Sequence, residues 1–229
     1  ATDRLDGEDV KNDIIKLNAK REARFYAWIA FDGGQYSPKI NNGGPLWLNL
    51  KNTNTNGFNT GNARNCVGTG YLTKKFIDPN IYYGSDGTRT HTAIRRPFLR
   101  MAELYLNLAE CYAALDNTGE ALSNLNEIRR RAGFDDLTES DITSDMTLTD
   151  WVRNERFVEL FEEGHRYYDL RRWVIAPEML KAGTRYGLDG HRVNPSFEEF
   201  NKPKLINQPF KWDDRLYLLP VWSRSGMDE

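Results

Sequence analysis

Between Trp151 and Trp173 the chain reads WVRNERFVELFEEGHRYYDLRRW, the densest block of charge and aromatic side chains in the sequence. Glu155, Glu159, Glu162 and Glu163 recur there at helical spacing, with Asp169 a few residues on. Two kinds of chemistry call for acids grouped in this way. A glycoside hydrolase needs two carboxylates facing each other across a bound sugar, and any two of Glu155, Glu159, Glu162 and Asp169 are candidates. A structural ion-pair network needs the same carboxylates beside arginines, whose planar forks hold a carboxylate through two parallel hydrogen bonds. Arginines are abundant within the block, and the run Arg129-Arg130-Arg131 precedes it. The pairs 155/159 and 159/163 put like charges at i,i+4, which costs an isolated helix about 0.2–0.5 kcal/mol each. Something basic is therefore expected to face them. The network is the favoured reading, with Arg153, Glu155, Arg156, Glu159, Glu163, Arg166, Asp169 and Arg172 as its members and no catalytic residue among them.

The elements that must position these groups are helical. Thr147 and Asp150 make a capping-box-like start, and Gly164 stands where a left-handed cap costs least. One helix is expected over Leu148 to Glu163 and a second from about His165 to Trp173, stopped by Pro177. At ~100° per residue, Trp151, Phe157, Val158, Leu160 and Phe161 fall on the side expected to be core, with the glutamates opposite. Upstream, Pro97 suits the first turn of a helix running through Phe98, Met101, Leu104, Tyr105, Leu108, Ala109 and Tyr112. It is apolar almost all round and so expected to be buried, with Cys111 as a small buried hydrophobe. A turn at 116–119 leads to a second helix over Glu120 to Ala132, ended by Gly133. Tyr105, Leu108, Ala109, Tyr112, Ala121, Leu125 and Ile128 match the spacing of a tetratricopeptide unit, and one such repeat cannot bury its faces alone.

Before this pair the pattern is weaker. A short helix is expected around Val10 to Leu17 and a strand over Arg24 to Phe31, broken by Asp32-Gly33-Gly34. From Asp32 to Val67 there is no periodicity, only Asn, Gly and Thr with Tyr36, Trp47 and Phe58 between them. Loops beyond about 12–15 residues are uncommon in compact domains and are often functional. Ligand recognition is placed here, with Trp47 as stacking platform, Tyr36 as second choice, and Asn41, Asn42, Asn49 and Asn52 as amides able to donate and accept at once. The competing reading is that Trp47, between Leu46 and Leu48, pins the loop to the core, with Trp28, Trp212 or Trp222 as other aromatic contacts. A strand is expected around Gly70 to Ile77 and a polar loop from there to Arg95. After Pro177 the chain is irregular.

Composition bounds the rest. The chain has 229 residues, is 39% hydrophobic and 28% charged, and carries a formal net charge of -2, which gives no electrostatic reason to expect nucleic acid as a partner. No apolar run approaches the ~20 residues of a spanning helix. Cys66 and Cys111 cannot build a structural zinc site alone, and His91, His165 and His191 stand at no helical ligand spacing from one another. No P-loop, GxGxxG, HExxH or GxSxG motif occurs. Neither a metal nor a cofactor is expected.

The runs RRPFLRMAELYLNLAECYAAL and RNERFVELFEEGHRYYDLRRW, with GYLTKKFIDP, KREARFYAWIAFDGG and more loosely RLYLLP, resemble the C-terminal half of SusD/RagB-family proteins. These are outer-membrane nutrient-binding lipoproteins of Bacteroidetes. The resemblance implies a mostly α fold, a tetratricopeptide-like helical scaffold with long irregular loops and a few short strands. It implies a loop-rich ligand side over about 20–95, a helical repeat core over about 96–175 and an irregular region over 176–229, with the N-terminal half and its lipid anchor missing from residues 1–229. It further implies a non-catalytic glycan-binding protein exposed on the outer membrane, with a polysaccharide or oligosaccharide ligand and a SusC-like TonB-dependent transporter as partner. The alternatives are an all-helical glycoside hydrolase and a tetratricopeptide scaffold for a peptide or protein.

Overall fold

A computed structural model of the chain describes residues 18, 21–51, 68–90, 96–180, 186–205 and 212–218. The helix expected before Leu17, together with Asn52, Phe58, Cys66, His91 and Trp222, lies outside the described residues. In chain order the elements are α1 (Ala23–Trp28), β1 (Ile29–Phe31), β2 (Gln35–Asn41), β3 (Gly44–Trp47), β4 (Tyr71–Thr73), β5 (Tyr82–Tyr83) and β6 (Arg89–Thr90). The helical part follows with α2 (Met101–Ala114), α3 (Thr118–Ala132), α4 (Leu148–Glu159), α5 (His165–Arg172) and α6 (Ala176–Met179). The end of the chain adds β7 (Tyr186–Gly187), α7 (Phe197–Asn201) and β8 (Lys204–Leu205). The fold is mostly α with a few short strands, as the sequence predicts.

The helical part packs around one apolar cluster. Ala102, Leu106 and Ala109 of α2 meet Leu122, Leu125 and Ile128 of α3, and Val152 and Leu160 of the α4 segment close the cluster. Asn117 caps α3 by accepting from Glu120 N, and Gly133 ends it in the left-handed region at φ 86°. The Thr147–Asp150 capping box opens α4. Two expectations for α2 are corrected. Its first residue is Met101, so Pro97 lies before it. It is also buried along one stripe only, with Met101, Leu104, Leu108 and Leu115 exposed. Cys111, ~140° round from the buried Leu106, is exposed as well.

A second cluster joins Ala30, Phe31, Leu48, Leu50, Leu188 and Phe200, with Phe25, Tyr26, Tyr36, Tyr71 and Leu72 packed on it. The segment expected as one strand over Arg24 to Phe31 is a helix to Trp28 that becomes a strand at Ile29. The aromatic run gives no clear period, and tertiary packing decides such short segments. β1 pairs antiparallel with β4, Phe31 opposite Tyr71. The stretch expected to lack structure after Asp32 contains an antiparallel hairpin, β2–β3, with Gln35 opposite Trp47 and Asn41 opposite Gly44. β5 and β6 extend this hairpin into a sheet of order β3-β2-β5-β6. The hairpin was hidden because its register is interrupted twice, between Gln35 and Ser37 and between Ser37 and Asn41, and bulges erase the period-2 signal.

Candidate functional site

Glu155 and Glu159 of the acidic block lie inside the molecule, whereas Glu162 is exposed and accepts from the Thr73 hydroxyl at 2.5 Å. Glu155 is 4% exposed and Glu159 0%. The buried arc of α4 runs through Glu155, Glu159, Val152 and Arg156, whereas Phe157, expected in the core, is exposed. The glutamate side of α4 is thus buried as well as the apolar side, where Leu160 is in the core and Trp151 packs on it, and arginines from elsewhere in the chain are the reason. Arg24 of α1 donates through one nitrogen to both Glu155, at 2.6 Å, and Glu159, at 2.9 Å. Arg100, just before α2, bonds Glu159 and forks onto Glu163 at 2.6 and 2.7 Å. Arg131 at the end of α3 also bonds Glu159, and Arg129 approaches Glu155 at 3.7 Å.

Arg100 and Lys75 meet the end of α4 at Glu159, four residues before the expected end. A helix C-terminus leaves carbonyls without partners and favours positive charge. Lys75 donates to the carbonyls of Glu159 and Phe161 and to the Glu163 carboxylate, at 3.0, 2.8 and 2.5 Å. Arg100 adds a bond to the Glu159 carbonyl at 2.7 Å. The chain then turns through Glu162 at φ 61° and Gly164 at φ 86° into α5. Burial pushes the Glu159 and Glu163 carboxyls up, but hydrogen bonds from Arg100, with Arg24 or Lys75, outweigh it and hold both below the usual glutamate value. Burial keeps the Glu155 carboxyl above its usual value despite Arg24.

A second buried group completes the network. Arg156 donates to Asp169 at 2.8 Å and to Asn107 at 2.7 Å. Arg172 holds the other Asp169 oxygen at 2.8 Å and forks onto Glu110 of α2. Two expected members stand apart. Arg166 lies 4.5 Å over the Phe157 ring and Arg153 4.9 Å over that of Trp173. Among the described residues neither makes an ion pair within 4 Å. Periodicity within one block could not reveal Arg24, Lys75 or Arg100, which arrive from distant segments.

The residues expected to meet a ligand lie on the other sheet. Trp47 is half-buried at the end of β3 and Asn49, two residues on, is exposed, while Leu48 between them is buried. Leu48 is the more deeply buried of the two, and Trp47 pairs with Gln35 across the hairpin. Tyr36 packs partly on the core cluster, and burial together with nearby Tyr83 pushes its hydroxyl pKa up. Two tyrosines that the sequence reading left in a polar loop form β5, which pairs with β2. Tyr83 is 46% exposed, and the Tyr82 hydroxyl donates to Asn42 at 2.9 Å. The signal was present as Tyr82-Tyr83-Gly84, two adjacent aromatics before a glycine. Trp28 is covered by Lys75 at 3.9 Å, and Trp212 packs edge-on to Tyr217 at 4.8 Å. Among the described residues no group of acids, histidines and cysteines could hold a metal ion. Among them, no helix is long and apolar enough to cross a membrane.

The SusD family model matches residues 2–225. The chain belongs to the SusD family. It is 34% identical over 88 residues to the SusD-like protein P25 of Formosa agariphila, which covers 38% of this chain and 16% of that protein. Among solved structures, BT4246 is similar at 49% identity and a TM-score of 0.88, covering 94% of this chain and 36% of the other. A SusD-like protein from Bacteroides fragilis, BF3747, follows at 30% identity and a TM-score of 0.69, covering 90% and 37%. The chain thus spans little more than a third of these solved SusD-family structures. The SusD family is in general one of non-catalytic nutrient- and glycan-binding proteins associated with the outer membrane.

Proposed function

We propose that this chain is part of a non-catalytic glycan-binding protein on the outer face of the outer membrane, tethered by a lipid anchor, that delivers its ligand to a SusC-like TonB-dependent transporter. Family membership over residues 2–225 supports the nutrient-binding class. The observation that carries the non-catalytic reading is the state of Glu159. It is fully buried and shared among Arg24, Arg100 and Arg131, so neither of its oxygens is free for a glycosidic bond. Glu155 is held in the same way by Arg24.

Recognition is assigned to the β2–β3 hairpin with β5, through Trp47, Tyr36 and Asn49. A sugar offers an apolar C–H face to an aromatic plane and a rim of hydroxyls to short amides. Trp47 and Tyr83 supply the first and Asn49 and Asn42 the second. The test is a panel of soluble polysaccharides cast into native gels, run beside an assay for released reducing ends. Retardation by at least one polysaccharide with no reducing ends formed is expected. Release of reducing ends that Glu159→Gln abolishes would instead establish the hydrolase.

A further inference from the structure

The two arginines left out of the ion-pair network face a common groove. Asp150, Arg153, Asn154 and Phe157 of α4 form one wall, and Arg166 of α5 with Trp173, Ile175, Glu178 and Met179 the other, enclosing about 480 Å³. That volume falls within the ~300–1,000 Å³ of small-molecule sites. Both guanidinium groups lie over rings, Arg153 on Trp173 and Arg166 on Phe157. Stacking uses the faces of a guanidinium and leaves its N–H edges to donate in the plane. Among the described residues neither guanidinium makes a hydrogen bond. The buried Arg153 Nε has no hydrogen-bond partner, and burial acts against the charge of Arg166, with Asp169 attracting it only across space. By contrast Arg156 and Arg172, on the same two helices, are each neutralised by Asp169.

We propose that this groove binds an oxyanion, a carboxylate or sulfate group, carried on a sugar-sized body. A planar or tetrahedral oxyanion accepts from the two guanidinium edges, the strongest pairing such donors make. Phe157, Ile175 and Met179 offer apolar contact to the ligand's C–H surface, and Asn154 offers an amide to a hydroxyl. Two carboxylates share the groove. Asp150 accepts in the helix cap from the Thr147 amide at 3.1 Å and hydroxyl at 2.6 Å, and its charge also faces Arg153 across space. Glu178 is exposed and, among the described residues, has no ion-pair partner within 4 Å. It opposes the ligand's charge and sets a ceiling on affinity. The site is distinct from the Trp47 hairpin, and its test does not depend on the proposed function.

The experiment titrates the whole protein calorimetrically with glucuronate, glucose 6-sulfate and, as the neutral control, glucose. Glucuronate, glucose 6-sulfate or both should bind, and glucose should not; which of the two binds tighter separates carboxylate from sulfate. Arg153→Gln and Arg166→Gln should each weaken binding about tenfold or more, with the circular dichroism spectrum unchanged. Glu178→Gln, at an exposed position, should tighten binding about two- to threefold by removing a like charge. Acidic sugars that bind no better than glucose, or an affinity that Glu178→Gln leaves unchanged or weakens, would overturn the proposal.

Discussion

Glu159 shows how a single side chain can be both the most buried charge and the least available for chemistry. Removing one partner of a buried pair leaves the other with its desolvation cost, and such truncations cost about 3–5 kcal/mol. Glu159→Ala and Arg24→Ala are each expected to destabilise the fold on that scale, measured by chemical or thermal unfolding. Arg166→Ala, which breaks no ion pair, is expected to cost only about 1 kcal/mol through its contact with Phe157. Glu163 adds a pH dependence. Its folded carboxyl titrates below the usual value because Arg100 and Lys75 outweigh burial, so its stabilising contribution is complete above the unfolded value near ~4.3. That contribution is lost as pH falls through the lower folded value. Unfolding free energies measured from about pH 5 down to about pH 3 should therefore fall more steeply in wild type than in Glu163→Gln; equal slopes would contradict the pairing. The sequence made this network partly legible. Like charges at i,i+4 demanded a basic neighbour, but not which, because Arg24 and Arg100 lie 131 and 59 residues away from the glutamates they bind. Burial was misread for the same reason: an apolar pattern ranks glutamate as surface, and only the distant arginines make its interior position affordable.

At the scale of elements, ends were legible where local chemistry sets them. The Thr147–Asp150 box, the Asn117 cap and the left-handed glycines at 133 and 164 all work within a few residues. The end of α4 was not, because Lys75 and Arg100 reach its carbonyls from outside. Two glycines at positive φ separate conformational strain from close approach. At Gly164 an added Cβ meets nothing within 4 Å, whereas at Gly70 it would lie 2.7 Å from the Leu188 Cβ. Gly164→Ala is expected to cost about 1 kcal/mol from its left-handed backbone. Gly70→Ala should cost clearly more, since the Thr69 carbonyl, next to it, accepts from Leu188 N at 3.0 Å and ties the two segments together. Melting temperatures that place the two variants in the reverse order would reject this account of the β4 entry.

Across the whole molecule, the charged network is the seam between two apolar clusters. Arg24 and Lys75 come from the sheet side, Arg100, Arg129 and Arg131 from the helical repeat, and α4 carries the carboxylates that bind both. On the proposed function the scaffold and the recognition surface divide the work: the acids hold the two halves in register, and the hairpin of β2 and β3 carries recognition. The measurement that bears most directly on this division is calorimetric titration of the whole protein and its Trp47→Ala variant with a glycan selected on an array. The variant should keep the wild-type circular dichroism spectrum and lose more than about 1 kcal/mol of binding free energy, the scale of a central aromatic contact. Unchanged affinity in a folded Trp47→Ala protein would contradict the assignment of recognition to the hairpin.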